Sequence, residues 1–284
     1  MRTIAISSKD IQPNSNNSTF HYVFPQSVVF KNQEIALSSL TMFNSVYNIS
    51  SALNNNQFQY IWNSTTYTLT LPDGIYEVSD INAYLLFSMK ANNHYLVDSN
   101  DKEVYFLELI LNVNRYGVNI ISYAVPTAAS TTYPASKNTH FSFPGSSFNP
   151  QIQMVANNDF YKLIGYDSNF VSSATAVTSA TYLSSESPIM NPNSNLLISL
   201  SCVQNPYSNP TNIIYAFGMT SSAGQIQSEQ PNELAYNEIL GGSYSFIDLK
   251  ILNADTADTL TPVHIVDPEI SILLIIRDKI DKLS

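Results

Sequence analysis

The chain has 284 residues, of which 12% are charged and 12% aromatic, with a formal net charge of −10. That length accommodates one large all-β domain or two small ones, and the density of Tyr, Phe, Leu and Ile excludes a disordered chain. No basic run exceeds the loose Arg277-Asp-Lys279 tail, which disfavours a counterion-displacing grip on nucleic acid.

Asn, Ser and Thr dominate the polar residues, a composition poor for long helices and good for strands joined by polar turns. Cys202 is alone, so no intramolecular disulfide can form. Met1–Asp10 lacks the apolar core of a signal peptide, and no window reaches the ~20 apolar residues of a membrane span. The sequons at Asn16, Asn17, Asn48 and Asn63 are read as chance in an Asn/Ser-rich chain. The expectation is a soluble intracellular product.

In chain order, residues 1–18 carry a short apolar alternation (Ile4, Ile6) and then a polar run, read as an N-terminal arm and loop. Phe20, Tyr22 and Phe24 predict a strand halted by Pro25, and Ile35 and Leu37 open the next. Phe58, Tyr60 and Trp62 alternate with Gln57, Gln59 and Ile61, the period of a strand with one face on a core. Asn63-Ser64 predicts a short hairpin loop. The return strand puts Tyr67, Leu69 and Leu71 on one face and Thr66, Thr68 and Thr70 on the other.

Leu71-Pro72-Asp73-Gly74 stops that strand, with Asp73 expected to close an Asx turn and Gly74 to supply positive φ. Ser79 is the predicted N-cap, and Asp80 favours the helix dipole. Val78, Ile81, Leu85 and Met89 follow at helical spacing, so one amphipathic helix packs back on the sheet.

Strands are predicted at about 104–113, with Tyr105, Leu107, Leu109, Leu111 and Val113 on one face, and at 118–125. Residues 127–156 read as a long connection. Asp159–Gly165 reads as a short helix with glycine as its C-cap. Residues 168–187, rich in Ser, Ala and Thr, read as a loop or contact arm. Leu196, Ile198, Leu200 and Cys202 begin the C-terminal strands, followed by Ile213–Phe217. A polar loop over 219–242 precedes a strand with Ile247, Leu249 and Ile251 inward. Ile270–Ile276 is apolar on both faces and belongs in a sheet interior or an interface.

About ten strands at sandwich spacing, with no βαβ alternation, predict an all-β fold. The best fit is a single jelly-roll β-sandwich with extra strands, long loops and one or two short helices. Residues 1–18 would form the arm. Residues 19–284 would form one domain with loop insertions near 127–156, 168–187 and 219–242.

Nothing in the pattern argues for catalysis. Neither phosphate-cradling glycine motif occurs among the eight glycines. His21, His94, His140 and His264 never stand at metal-ligand spacing. Asp98, Asn100 and Asp101 hint at a calcium loop but lack its central glycine and terminal glutamate. Asp255, Asp258, Asp267 and Glu269 are read as loop acids rather than a glycosidase pair. Cys202 reads as buried filler. The expectation is therefore no catalytic, cofactor-binding or metal residues, no cofactor and no enzyme activity. The 18 Tyr and 14 Phe exceed what one core absorbs, and the surplus suits protein–protein interfaces.

One stretch carries a family resemblance. Leu37, Asn44, Ser45, Tyr47, Asn48 and Ile49, with Asn56 and Phe58 behind them and Pro72, Gly74 and Tyr76 at the turn, resemble the N-terminal half of penton proteins from virophages and Polinton-like viruses. Asp159–Tyr166, Ile198–Val203, Tyr244–Ile251 and Pro268–Arg277 look like later elements of that family, in order. The resemblance spans about 20–278, and residues 168–187 have no counterpart.

It implies a jelly-roll structural protein of the virion, forming the pentameric vertex capsomer of an icosahedral capsid. The implied partners are four further copies, neighbouring double-jelly-roll major capsid proteins and internal minor capsid proteins, with no direct nucleic-acid contact and no membrane span. The implied location is the virion vertex, after synthesis in the host cytoplasm or viral factory. The alternative is a jelly-roll carbohydrate- or receptor-binding module of a fibre or lectin.

Overall fold

A computed structural model describes residues 1–175, 177–190, 195–254 and 260–279. Its strands are β1 (Arg2–Ser7), β2 (Thr19–Phe30), β3 (Gln33–Phe43), β4 (Gln57–Trp62), β5 (Thr65–Thr70), β6 (Leu96–Val97), β7 (Glu103–Val104), β8 (Leu107–Asn112) and β9 (Gly117–Tyr123). They continue as β10 (Gln151–Met154), β11 (Ser179–Leu183), β12 (Asn195–Leu200), β13 (Ile213–Gly218), β14 (Ile226–Glu229), β15 (Asn237–Glu238), β16 (Gly242–Asn253), β17 (Thr261–Pro262) and β18 (Ser271–Asp278). Two α-helices, α1 (Val78–Ala91) and α2 (Phe160–Ile164), complete the set. The chain is all-β and jelly-roll-like.

The chain divides into two compact units. The first comprises Met1–Tyr47 with Asn193–Ser284, and the second Asn48–Pro192. Each owns a separate buried cluster of apolar side chains. The second core draws on residues between Ile49 and Met190, and the first on residues from both sides of that stretch.

In the first unit, one sheet runs β1-β18-β3-β14, with β15 also on β3. The other runs β13-β12-β16-β17, with β2 also on β16. The chain crosses between the sheets repeatedly, as in a jelly roll. Ile6, Leu37, Leu40 and Leu274 from one sheet share a core with Phe20, Ile198, Leu249 and Ile251 from the other. The stretch read as an arm is the strand β1, paired with β18 from Arg2↔Ile276 to Ser7↔Ser271. Its alternation buries Ile4 and Ile6.

β2 passes through Pro25 instead of stopping there. Its pairing with β16 jumps from Val23↔Phe246 to Val28↔Tyr244, so Phe24–Ser27 stand opposite Ser245 alone. Such a bulge removes the ladder bond that proline cannot make. β18 lies between β1 and β3, the interior position that its two apolar faces require.

The second unit holds the sheets β10-β4-β5 and β11-β9-β8 and the hairpin β6-β7. β4 and β5 are joined by Asn63-Ser64, both at positive φ (45° and 66°), as a two-residue primed turn demands. α1 buries Val78, Ile81, Leu85 and Met89, as its spacing predicts. It begins one residue before Ser79, where the Glu77 N–H donates to the Asp80 carboxylate over 2.8 Å. Asp80 thus supplies the capping oxygen expected from Ser79. Asn82 Oδ1 accepts the Leu109 N–H over 2.8 Å and ties α1 to β8.

The stretches read as loops contain further strands. β10 lies in 127–156, β11 in 168–187, and β14 and β15 in 219–242. β10 alternates Gln151 and Gln153 with buried Ile152 and Met154 over four residues only, and β11, β14 and β15 are short and largely polar, so tertiary pairing rather than local pattern creates these strands. β8 buries Leu107 and Leu109, but Leu111 near its end and Val113 just beyond it, expected on the same inward face, are exposed. Among the described residues no helix is long and apolar enough to cross a membrane.

Candidate functional site

The residues that carry the family resemblance do fold-building work. In the first unit, Asn44 Nδ2 donates to the Ser221 carbonyl over 2.6 Å, and the Asn44 N–H to that of Gln225 over 2.8 Å. Ser45 Oγ accepts the Asp267 N–H over 2.9 Å. The Tyr47 and His264 rings lie 5.1 Å apart. In the second unit, Asn48 reaches Tyr76 and Met190 through its side chain. Ile49 and Gly74 exchange backbone hydrogen bonds of 3.2 and 2.9 Å.

Two turn roles differ from expectation. Gly74 is not at positive φ. It is small because a Cβ there would meet the Tyr76 ring at 2.8 Å. Asp73 does not close its own turn but accepts the Ser51 N–H over 2.8 Å.

The candidate acids form no cluster. Asp98 accepts the N–H groups of Asn100 and Lys102 at 2.8 and 2.9 Å. Those backbone bonds, with that from Lys102 leading, hold its carboxyl below the ordinary range. Asp101 pairs with Lys137 at 2.8 Å. Asp267 caps the Glu269 N–H at 2.8 Å, while Asp255 and Asp258 lie outside the described residues. Among the described residues no three His, Cys, Asp or Glu side chains are placed to hold a metal ion. Cys202 is buried in the first core, and burial pushes its thiol up to about 12.

Apart from His264, the histidines separate into two settings. His21 on β2 pairs with Asp248 on β16 at 2.7 Å, beside the Phe246 ring at 4.6 Å. His94 and His140, 46 positions apart in sequence, line the same cleft in the second unit. That cleft is about 470 Å³ in volume and lies among the β4–β5 turn, the residues after α1 and the segment 140–145.

Its floor is aromatic. His94 stacks on Trp62 with centroids 4.4 Å apart and planes 9° apart, and the edge of Tyr67 meets it at 4.9 Å. Phe148 and Phe141 meet the Trp62 ring edge-on at 5.2 and 6.2 Å. His94 Nδ1 lies 3.1 Å from the Tyr60 hydroxyl, which accepts a 3.1 Å hydrogen bond from Asn92 Nδ2. Burial lowers the His94 pKa to about 4 and raises that of Tyr60 above its ordinary value. His140 stacks on Tyr95 at 4.3 Å, its Nε2 donating to the Tyr95 carbonyl over 3.2 Å. No Asp, Glu, Lys or Arg lines the cleft. Sequence reading saw these residues singly, and no local spacing signals that the fold gathers them.

Most of the aromatic surplus fills the second core, through ring contacts such as Phe58–Phe160 at 4.6 Å. Among the described residues, Phe87, Tyr116, Tyr207 and Phe246 stay well exposed. Phe246 pairs directly with exposed Val23 on the outward-facing side of β2 and β16. At the β8–β9 hairpin, Leu111, Val113 and Tyr116 are all at least half exposed.

No family model matches the chain, and no curated protein matches it. Among solved structures, it aligns with the crystal structure of selenomethionine-labelled mavirus penton protein at 11% identity and a TM-score of 0.47. The alignment covers 98% of this chain and 99% of that one. This is a distant, fold-level resemblance.

Proposed function

We propose that the chain is a structural virion protein, a penton that forms the vertex capsomer of an icosahedral capsid as a homopentamer. The observation that carries this reading is the ordered set of penton-like residues from Leu37 to Tyr76. In the fold these are the hydrogen-bonding joints at Asn44, Ser45, Asn48 and Gly74. A motif that builds the scaffold is what a family of structural proteins shares.

The surface supports the same reading. A closed ring uses a heterologous interface, in which one flank of a subunit fits the other flank of the next. β2 is a 12-residue edge strand with Val23 and Val29 exposed. Pro25 and the bulge blunt the middle of this edge, and the exposed Val23 and Val29 leave apolar surface on either side of them. The hairpin tip at Leu111, Val113 and Tyr116 offers a further apolar contact, suited to a neighbouring major capsid protein. In this role the protein acts by assembly rather than catalysis, and its place is the virion.

The test is the mass of the purified protein by light scattering across concentration and salt, with co-expression beside a double-jelly-roll capsid protein. The expected result is a five-chain species, or a monomer that becomes one as shells form. A monomer under every condition that also stays out of co-expressed shells overturns the proposal.

A further inference from the structure

We propose that the cleft of the second unit is a binding site for a neutral carbohydrate. Its volume, about 470 Å³, falls within the range of small-molecule sites. The absence of Asp, Glu, Lys and Arg from its lining selects an uncharged ligand, because a charge there would lose water without gaining a full counter-charge.

The polar groups specify hydroxyls. The side-chain amides of Asn63 and Asn93 carry no hydrogen bond among the described residues, and both are exposed at the rim. Each amide offers donors and an acceptor, as each sugar hydroxyl does. A lipid or an aromatic ligand would leave these groups unpaired once water was expelled. The imidazoles add two more. Asn92 donates to the Tyr60 hydroxyl, which stands 3.1 Å from His94 Nδ1. With Nδ1 so engaged, Nε2 is the His94 ring nitrogen left for a sugar hydroxyl, as donor or acceptor according to the tautomer. His140 commits Nε2 to the Tyr95 carbonyl, leaving Nδ1 as an acceptor. Phe143, half-buried at the cleft and edge-on to Phe141 at 5.1 Å, supplies an apolar face for the C–H side of a pyranose.

Trp62 is the only tryptophan in the chain and it lines the cleft, so intrinsic fluorescence of the whole protein reads occupancy directly. The experiment titrates glucose, galactose, N-acetylglucosamine, maltose and lactose, with glucuronic acid and sialyllactose as charged probes. Saturation-transfer NMR on the same samples serves as a second readout. At least one neutral sugar should give a saturable change with a Kd of order millimolar, and Asn63→Asp should weaken it about tenfold. Ser142→Phe, at an exposed lining position, should abolish it by filling the space while leaving Trp62 the single tryptophan, with the thermal midpoint unchanged. Silence from every neutral sugar in both readouts overturns the proposal. So does preferential binding of the charged probes, or a response that survives both substitutions. Pentamer formation plays no part in these readings, so their failure and that of the capsid proposal are separable.

Discussion

Asn48 and Met190 stand 142 positions apart, and the side-chain amide of the first donates to the carbonyl of the second over 2.7 Å. The same amide donates to the Tyr76 carbonyl over 2.8 Å, and its oxygen accepts the Tyr76 N–H over 2.9 Å. The Asn48 backbone carbonyl accepts from Asn55 over 2.8 Å. One buried residue thus holds the point where the chain enters the second unit against the segment by which it leaves. A side-chain amide supplies the two donors and the acceptor that this arrangement uses, more than a hydroxyl can.

Replacing Asn48 by Ala or Asp should therefore destabilise the second unit strongly. Ala removes all three side-chain bonds and Asp the two that Asn48 donates to the part-buried carbonyls of Tyr76 and Met190, for a loss of about 2–4 kcal/mol. Trp62, buried in the same unit, is the reporter. Its fluorescence transition in urea should move to lower concentration. An unmoved transition would mean that water replaces the amide.

Gly165 is a second joint of that unit. It sits at φ 75° as the C-cap of α2, and a Cβ there would meet the Glu186 carbonyl oxygen at 2.2 Å. Gly165→Ala adds a steric clash with backbone to left-handed strain and should cost about 3 kcal/mol or more. Gly224 is also left-handed, at φ 73°, but has nothing within 4 Å of a Cβ. Gly224→Ala should cost only about 1 kcal/mol. Equal thermal midpoints for the two variants would contradict this account.

These joints mark what was legible in the sequence. Residues whose role is set by near neighbours were readable. Phe58, Tyr60 and Trp62 declared their strand, Val78 to Met89 their helix, Asn63-Ser64 their turn, and Gly165 its cap. Roles set across the fold were not. β11 and β14 lie in stretches without apolar alternation and exist because β9 and β3 offer them ladders. The division at Tyr47 and Asn193 leaves no glycine or charge run to mark it. The cleft joins positions from 62 to 145 through tertiary packing alone.

The first strand gives a further expectation. Ile6 is 1% exposed in the first core, and β1 covers the outer edge of β18. Ile6→Ala should cost about 3 kcal/mol through lost burial and the cavity left behind. Cys202 lies in the same core, with its thiol pushed up to about 12 by burial. It should resist maleimide in the native protein, because the thiolate is the reactive form. In the Ile6→Ala variant, labelling should begin at a lower urea concentration. Removal of residues 1–7 should go further and expose the β18 edge to aggregation.

Acid should act on the second unit through His94. Its pKa is about 4 in the fold, lowered by burial among Trp62, Tyr60 and Tyr67, against an ordinary value near 6.5. Between these values the unfolded chain binds a proton that the folded one refuses. Stability therefore falls as pH drops from about 6.5 towards 4 and is insensitive to this group above that window. The full loss is on the order of 3 kcal/mol, as the difference between the two pKa values implies. Urea midpoints read from Trp62 at pH 7 and pH 4.5 should differ clearly in the wild type. The difference should shrink in His94→Gln, which keeps a polar group beside Tyr60 but cannot take up the proton. If both proteins lost the same stability on acidification, the proton would be entering elsewhere, and His94 would not be the acid-sensitive element of this core.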